Sequence, residues 1–532
     1  MSMTLDRRRF LKQMGAGVAG IGFLSLMPGT LEAALLKANS LPRSIPELQG
    51  VSSEAILRFV EAVEKQNLGL HSLMVVRNGQ VVAEGWWAPY APELKHTLFS
   101  LSKSFTSTAI GFAVAEGKLK VTDKVMSFFP EDKPAEVSSN LAAMRIKDLL
   151  TMTTGHETDT LRPLLQETSG GWARKFLSLP VEREPGTHFV YNTGATYMLS
   201  AILQKVAGQT VLEYLTPRLF QPLGIEGADW ETDPDGINTG GYGLRVRTED
   251  IAKFGQLYLQ KGKWNGKQIL PAQWVEEATA YQVPNAPSAT PAHDWNQGYG
   301  YQFWRSRHNS YRGDGAMGQY CLVLPEKDAV IAITSETHDM QAILNQVWEI
   351  LLPGLKPAAL PQNATAQKAL RQKLASLTLL PPKTNTSSPI ASKVSGKIYK
   401  VQENPLHIDT VSFTFNKDKV TVKFQDGEEV HQIVCGLNEW VKGETQLPGS
   451  PPSFVPMQRK LPLPKEKVAA FGTWTSPDTF VMTWSFNQTP HTDTVTCHFE
   501  DKTVRMVFTD SIVQKAPERK SERPVLVGQM IG

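Results

Sequence analysis

The spacing of apolar residues changes character once along this chain, near residue 357, and that change limits what the chain can fold into. Beyond it, apolar and polar side chains alternate: Phe413 and Phe415; Val420, Val422 and Phe424; Phe480, Met482, Trp484 and Phe486; Val495, Cys497 and Phe499; Val504, Met506 and Phe508. A period of two buries one face of a strand and leaves the other in water. Turn formers such as Asn416-Lys417-Asp418 separate the runs. Residues 393–515 are therefore expected to form an all-β domain, a small antiparallel barrel or sandwich. The preceding stretch, 358–392, holds Pro361, Pro381-Pro382 and Thr384-Asn385-Thr386-Ser387-Ser388-Pro389. It reads as a linker with one helix around 365–375. Residues 516–532 are assigned to a tail.

Before the break, helix and strand signals mix. Ala55, Ile56, Phe59, Val60 and Val63 recur at helical spacing. A hairpin follows, with strands at 72–76 and 80–86 around Arg77-Asn78-Gly79. A helix is expected from Ser100 to Glu116, ended by Gly117, and helices dominate to about residue 270. Strand signals return at 300–305, 318–324 and 329–335, then a helix at 340–352. Strands that bracket a helical middle imply an α+β fold, with one mainly antiparallel sheet built from both ends of the segment 49–357. Two or three domains are expected for 532 residues.

Charge narrows the partners. Lys and Arg total 55 against 52 Asp and Glu, a net charge of +3. So small an excess implies no nucleic-acid partner. Cys321, Cys435 and Cys497 form no CxxC pair, so no zinc site is expected. Cys435 and Cys497 are read as two buried thiols, with pairing left open. His156-Glu157 begins a zinc-protease motif, but Thr160 stands where its second histidine belongs. No metal and no cofactor are expected. Oligomeric state is not legible.

The N-terminus reads as an address. Arg7-Arg8-Arg9-Phe10-Leu11-Lys12 precedes an apolar run from Met14 to Met27 and resembles a twin-arginine export signal. Residues 1–34 are assigned to it and 35–48 to a linker. The resemblance implies a bacterial periplasmic destination. Processing after Ala33 is one expectation, and an uncleaved anchor stays open because Leu31 and Glu32 suit a processing site poorly. Without such an anchor, no stable membrane span is expected. Gly15-Ala16-Gly17-Val18-Ala19-Gly20 matches a dinucleotide fingerprint, but no strand precedes it, so no nucleotide is inferred.

The chemistry centres on Ser100-Leu101-Ser102-Lys103. Three residues are about one helical turn, so Ser100 and Lys103 share a face at a helix start, where free N–H groups favour a developing anion. To act as a base the lysine must shed its proton near neutrality, a shift of roughly three units from its reference value, which burial can supply. With its flanks, Phe99 to Ser107, this stretch resembles the first motif of the β-lactamase/penicillin-binding-protein superfamily. Ile146 to Gly155 and Pro185-Gly186-Thr187-His188-Phe189-Val190-Tyr191-Asn192-Thr193-Gly194 resemble further segments of its class C-like branch.

The resemblance implies an antiparallel sheet flanked by helices, an all-helical lobe and a site between them. It implies Ser100 as nucleophile, with Lys103 and Tyr191 as general acid and base. The usual Tyr-x-Asn reads Tyr191-Asn192-Thr193, so Thr193 occupies the position of the asparagine that contacts a substrate amide. The third motif, normally Lys or His followed by x-Gly, falls at Gly313-Asp314-Gly315-Ala316 and lacks its cation. The backbone N–H groups of Ser100 and Ala316 are the expected oxyanion hole. Asp314 is expected to repel a substrate carboxylate unless Arg305 or Arg312 offsets it. Asn192, Tyr242, Trp295, Asp314 and Gly315 are candidate pocket residues. The expected function is hydrolysis of a small-molecule ester or non-peptide amide. A DD-peptidase or β-lactamase, acting on a peptide or lactam, and a catalytically silent binding protein are the alternatives.

Overall fold

The computed structural model describes residues 40–286, 293–380, 385–452, 464–515 and 523–531. The expected export signal, residues 1–34, lies outside them. The hairpin forms as expected: β1 (Leu70–Arg77) and β2 (Gln80–Trp86) meet at Arg77↔Gln80 across Asn78 and Gly79. Both turn residues have positive φ, 50° and 72°, the conformation a two-residue turn needs to match strand twist. The remaining strands are β3 (Trp304–Ser306), β4 (Ser310–Gly315), β5 (Gln319–Leu324) and β6 (Ala329–Ser335). Their order is β2-β1-β6-β5-β4-β3, and every neighbouring pair is antiparallel.

Every residue of β1 is buried, because helices cover both faces of the sheet. Leu73 and Val75 join one core with Ile56, Phe59 and Val60 of α1 (Ser53–Lys65). Met74 and Val76 join a second, larger core that includes the helical region. Its central helices are α2 (Ser102–Ala115), α3 (Thr193–Ala207) and α4 (Thr248–Leu259). The α+β reading of the sequence holds.

The C-terminal domain is a closed barrel. Its strands are β7 (Ile398–Val401), β8 (Thr410–Phe415), β9 (Lys419–Asp426), β10 (Glu429–Gly436), β11 (Val441–Thr445), β12 (Glu466–Ser476), β13 (Thr479–Ser485), β14 (Thr492–Glu500), β15 (Thr503–Asp510) and β16 (Leu526–Ile531). The ring runs β10-β9-β8-β7-β16-β15-β14-β13-β12 and closes through Gly436↔Phe471, with β11 paired outside it on β12. The alternating apolar residues fill its interior, Trp484, Phe413, Phe424 and Met506 being fully buried. Cys321, Cys435 and Cys497 are free buried thiols.

Three boundaries need correction. The 516–532 tail contains β16, which joins β7 to β15 and completes the barrel. Its short apolar run resembles a tail only until its neighbours are known. The 35–48 linker is tied down from Leu41 onward: Ser44 N bonds Val81 O at 2.9 Å and Val81 N bonds Pro42 O at 2.8 Å. Glu47 is buried, accepting from Ser53 N at 2.9 Å and Gln367 Nε2 at 2.9 Å. The helix of the 358–392 linker exists, as α5 (Ala364–Ala375), but it packs on α1 through Leu370. Leu370→Ala should lower unfolding free energy by about 2–4 kcal/mol, the usual cost of a truncated core leucine. Chemical denaturation measures this. An unchanged midpoint would mean α5 is a true linker.

Candidate active site

The short strand His96–Thr97 leads into a 3-10 turn, Phe99–Leu101, and then into α2. Phe99 has φ 46°, a left-handed conformation that is uncommon for an aromatic residue. Ser100 follows and is partly exposed. Lys103, one turn on, is 1 % exposed. Its Nζ donates to Ser100 Oγ at 3.0 Å, Gly241 O at 2.9 Å and Thr193 Oγ1 at 3.3 Å. Burial lowers the lysine pKa to about 8, against the opposing pull of Asp159 and Asp314.

Tyr191 faces the same pair. Its ring centre lies 4.9 Å from Lys103 Nζ, which itself bonds Ser100 Oγ. The ring stacks on Trp304, with centroids 5.2 Å apart, and meets Tyr299 edge-on. Burial, and then the charge of Asp314, push the phenol pKa well up. Tyr191 is therefore a neutral phenol at ordinary pH.

Asn192 is not a pocket residue. It is fully buried and caps α3, its Oδ1 accepting from Ala195 N at 3.3 Å and Thr160 Oγ1 at 2.8 Å. Asparagine is a strong N-cap, and here that local role takes its side chain. Thr193, the next residue, touches the lysine instead. Asp159 supports it by accepting Thr193 N at 2.8 Å.

The third motif closes the other side. A Cβ on Gly313 would lie 2.4 Å from Leu101 Cδ1, and one on Gly315 would lie 2.0 Å from Leu98 O and 3.1 Å from Ser100 N. Glycine at both places lets the end of β4 lie against the turn carrying Ser100. Ala316 follows in the tight turn closed by Gly318 N to Gly315 O, 3.1 Å. Asp314 is buried and paired with Arg312 Nε at 2.8 Å, so its expected repulsion of a carboxylate is offset. Arg312, itself fully buried, packs over Trp295 at 4.4 Å. Trp295 thus supports this pair. Tyr242 is also buried, and its carbonyl accepts from Trp230 Nε1 at 2.7 Å and Thr239 Oγ1 at 2.6 Å. Neither is shown lining the space around Ser100. Among the described residues no group of three His, Cys, Asp or Glu could hold a metal ion.

The residues that sequence reasoning missed are those that hold the lysine. The Gly241 carbonyl carries no side-chain signature. A Cβ on Gly241 would lie 2.7 Å from Thr193 Cγ2 and 3.4 Å from Lys103 Nζ, so the close approach requires glycine.

A family model described as Beta-lactamase matches residues 58–346. The chain belongs to the beta-lactamase family. A 6-aminohexanoate-dimer hydrolase from Paenarthrobacter ureafaciens is 25 % identical over 291 residues, 50 % of this chain and 73 % of that protein. A beta-lactamase from Escherichia coli K12 is 20 % identical over 396 residues, 60 % of this chain and 98 % of that protein. A solved Bacillus anthracis structure, provisionally assigned as a 6-aminohexanoate-dimer hydrolase, superposes with a TM-score of 0.50 at 22 % identity. It covers 63 % of this chain and 96 % of its own, and supports the fold.

The lysine's burial has a thermodynamic signature. Its pKa falls from 10.5 to about 8 on folding, so between those values the unfolded chain binds the extra proton. Stability from this group therefore rises with pH across that window, by up to about 3 kcal/mol. Lys103→Met removes the titration. Thermal unfolding from pH 7 to 10.5 should show the wild type gaining on the variant as pH rises. A pH-independent difference would contradict the burial argument.

Proposed function

We propose that this beta-lactamase-family hydrolase cleaves a small ester or non-peptide amide through an acyl-enzyme on Ser100. One observation carries the reading: a buried lysine, its pKa drawn to about 8, bonds the Ser100 hydroxyl at 3.0 Å beside the Tyr191 phenol. A neutral lysine has two N–H donors and one lone pair. With Gly241 O and Thr193 Oγ1 taking the donors, the lone pair is left for the Ser100 proton.

The steps follow from that arrangement. Ser100 Oγ attacks the substrate carbonyl as its proton passes to Lys103 Nζ. The N–H groups of Ser100 and Ala316 stabilise the oxyanion. The bond to the leaving group breaks, its oxygen or nitrogen takes the Tyr191 proton, and Lys103 returns one to the phenol. Water then attacks the acyl-enzyme by the reverse relay and releases the acid.

The ester or amide preference rests on charge. Arg312, the cation nearest the third motif, is fully buried and committed to Asp314, so it is poorly placed to receive a substrate carboxylate. That disfavours a DD-peptidase or β-lactamase. The lysine's placement disfavours a silent binding protein, which would have no need of a buried, partly deprotonated amine. Export to the periplasm is part of the proposal and rests on Arg7 to Lys12.

A fluorophosphonate probe should label the wild type at Ser100 and leave Ser100→Ala unlabelled, as read by intact mass. Lys103→Ala and Tyr191→Phe should each slow labelling by about 10²–10⁴-fold. A short-chain nitrophenyl ester should turn over faster than a chromogenic cephalosporin. The reverse order would transfer the assignment to the lactam class, and an unlabelled wild type would end the hydrolase reading.

A further inference from the structure

The barrel reaches back to the nucleophile. The loop between β13 and β14, Phe486 to His491, is almost wholly buried although it joins two strands at the end of a barrel. It is stiffened by its own bonds: Thr489 N to Phe486 O at 2.7 Å, Phe486 N to His491 O at 3.1 Å, and His491 N to Thr489 Oγ1 at 3.0 Å. Several of its outward contacts fall on residues that precede Ser100. Tyr90 Oη donates to Thr489 O at 2.9 Å. Gln488 O accepts from Thr97 N at 2.9 Å and Thr97 Oγ1 at 3.3 Å. The ring of His491, 3 % exposed, meets the ring of Phe99 edge-on at 5.8 Å, with Glu336 Oε1 3.6 Å from its Nδ1.

One of these contacts, the His491 ring, lands on a strained residue, and another holds Thr97 two residues before it. A phenylalanine at φ 46° costs free energy and persists only where its surroundings hold it. On the inner side, Gly315 and the Leu244 carbonyl confine Leu98, the latter through Leu98 N at 2.9 Å. On the outer side, the restraint comes from Gln488 and His491, which belong to the other domain. Phe99 sets the direction in which the chain enters α2, and hence where Ser100 presents its hydroxyl and its N–H.

We propose that the barrel is a working part of the active site: its Phe486–His491 loop clamps Thr97 and Phe99, and His491 is a positioning residue for Ser100. The proposal rests on Ser100 being the nucleophile. Removing the ring of His491 frees Phe99 to relax toward negative φ, which shifts Ser100 relative to Lys103 without altering the lysine.

The test uses the full chain, a fluorophosphonate probe and a nitrophenyl ester. Wild-type labelling at Ser100 first establishes the nucleophile, so failure of that reading is seen separately. His491→Ala should then slow labelling and ester kcat by about 10- to 100-fold, as a displacement near 1 Å does. KM and the pH midpoint of labelling should stay unchanged, since the burial of the lysine and its Gly241 and Thr193 partners stay in place. His491→Phe, which retains a ring edge, should stay within about three-fold of wild type. A loss that came only from weaker folding would lower the thermal midpoint and vanish at lower temperature. The coupling is tested in a Phe99→Gly background, where positive φ carries no strain and His491→Ala should cost less than about two-fold more. Wild-type labelling by His491→Ala would overturn the proposal. So would an undiminished effect of His491→Ala in the glycine background.

Discussion

The structure depends on a lysine amine held out of water with three oxygen partners around it. Burying an ammonium in an apolar protein costs several kcal/mol, and here the protein lowers that cost by letting the proton go. Around Lys103, Gly241 must lack a side chain so that its carbonyl can approach. Thr193 must begin a helix so that its hydroxyl points inward, and Asn192 caps that helix to fix where it starts.

The sheet serves this arrangement. Strand β4 ends in two glycines that press against the turn carrying Ser100, and β5 and β6 hold β4 in register. Arg312 and Asp314 point away from those glycines and balance one another inside the protein. The Gly313–Gly315 stretch thus lies against the turn carrying Ser100 while its neighbouring cation stays buried and paired. The barrel adds a second boundary, since its buried loop packs on residues that precede Ser100.

Much of this was legible in the residues. The Asn78-Gly79 turn, the period-two strands after residue 393 and the Ser100/Lys103 spacing each encode a local rule that the fold obeys. What was hidden depends on contacts distant in sequence. Nothing local marks Leu526–Ile531 as the strand that completes a barrel, because a closing strand is defined by its neighbours. Glu47 reads as a surface acid until Gln367, 320 residues later, comes to meet it. Asn192 looked like a misplaced ligand contact, and its capping role appears only once the start of α3 is known. The Gly241 carbonyl is backbone and leaves no mark in composition at all.

The central claim is that the Lys103 amine gives up its proton near neutrality because of where it lies. Titrating the 13Cε resonance of Lys103, assigned by its loss in Lys103→Met, measures this without reference to any substrate. The account predicts a midpoint about 8. A midpoint at the ordinary lysine value, near 10.5, would show an amine that stays charged, and the base at the heart of the site would be gone.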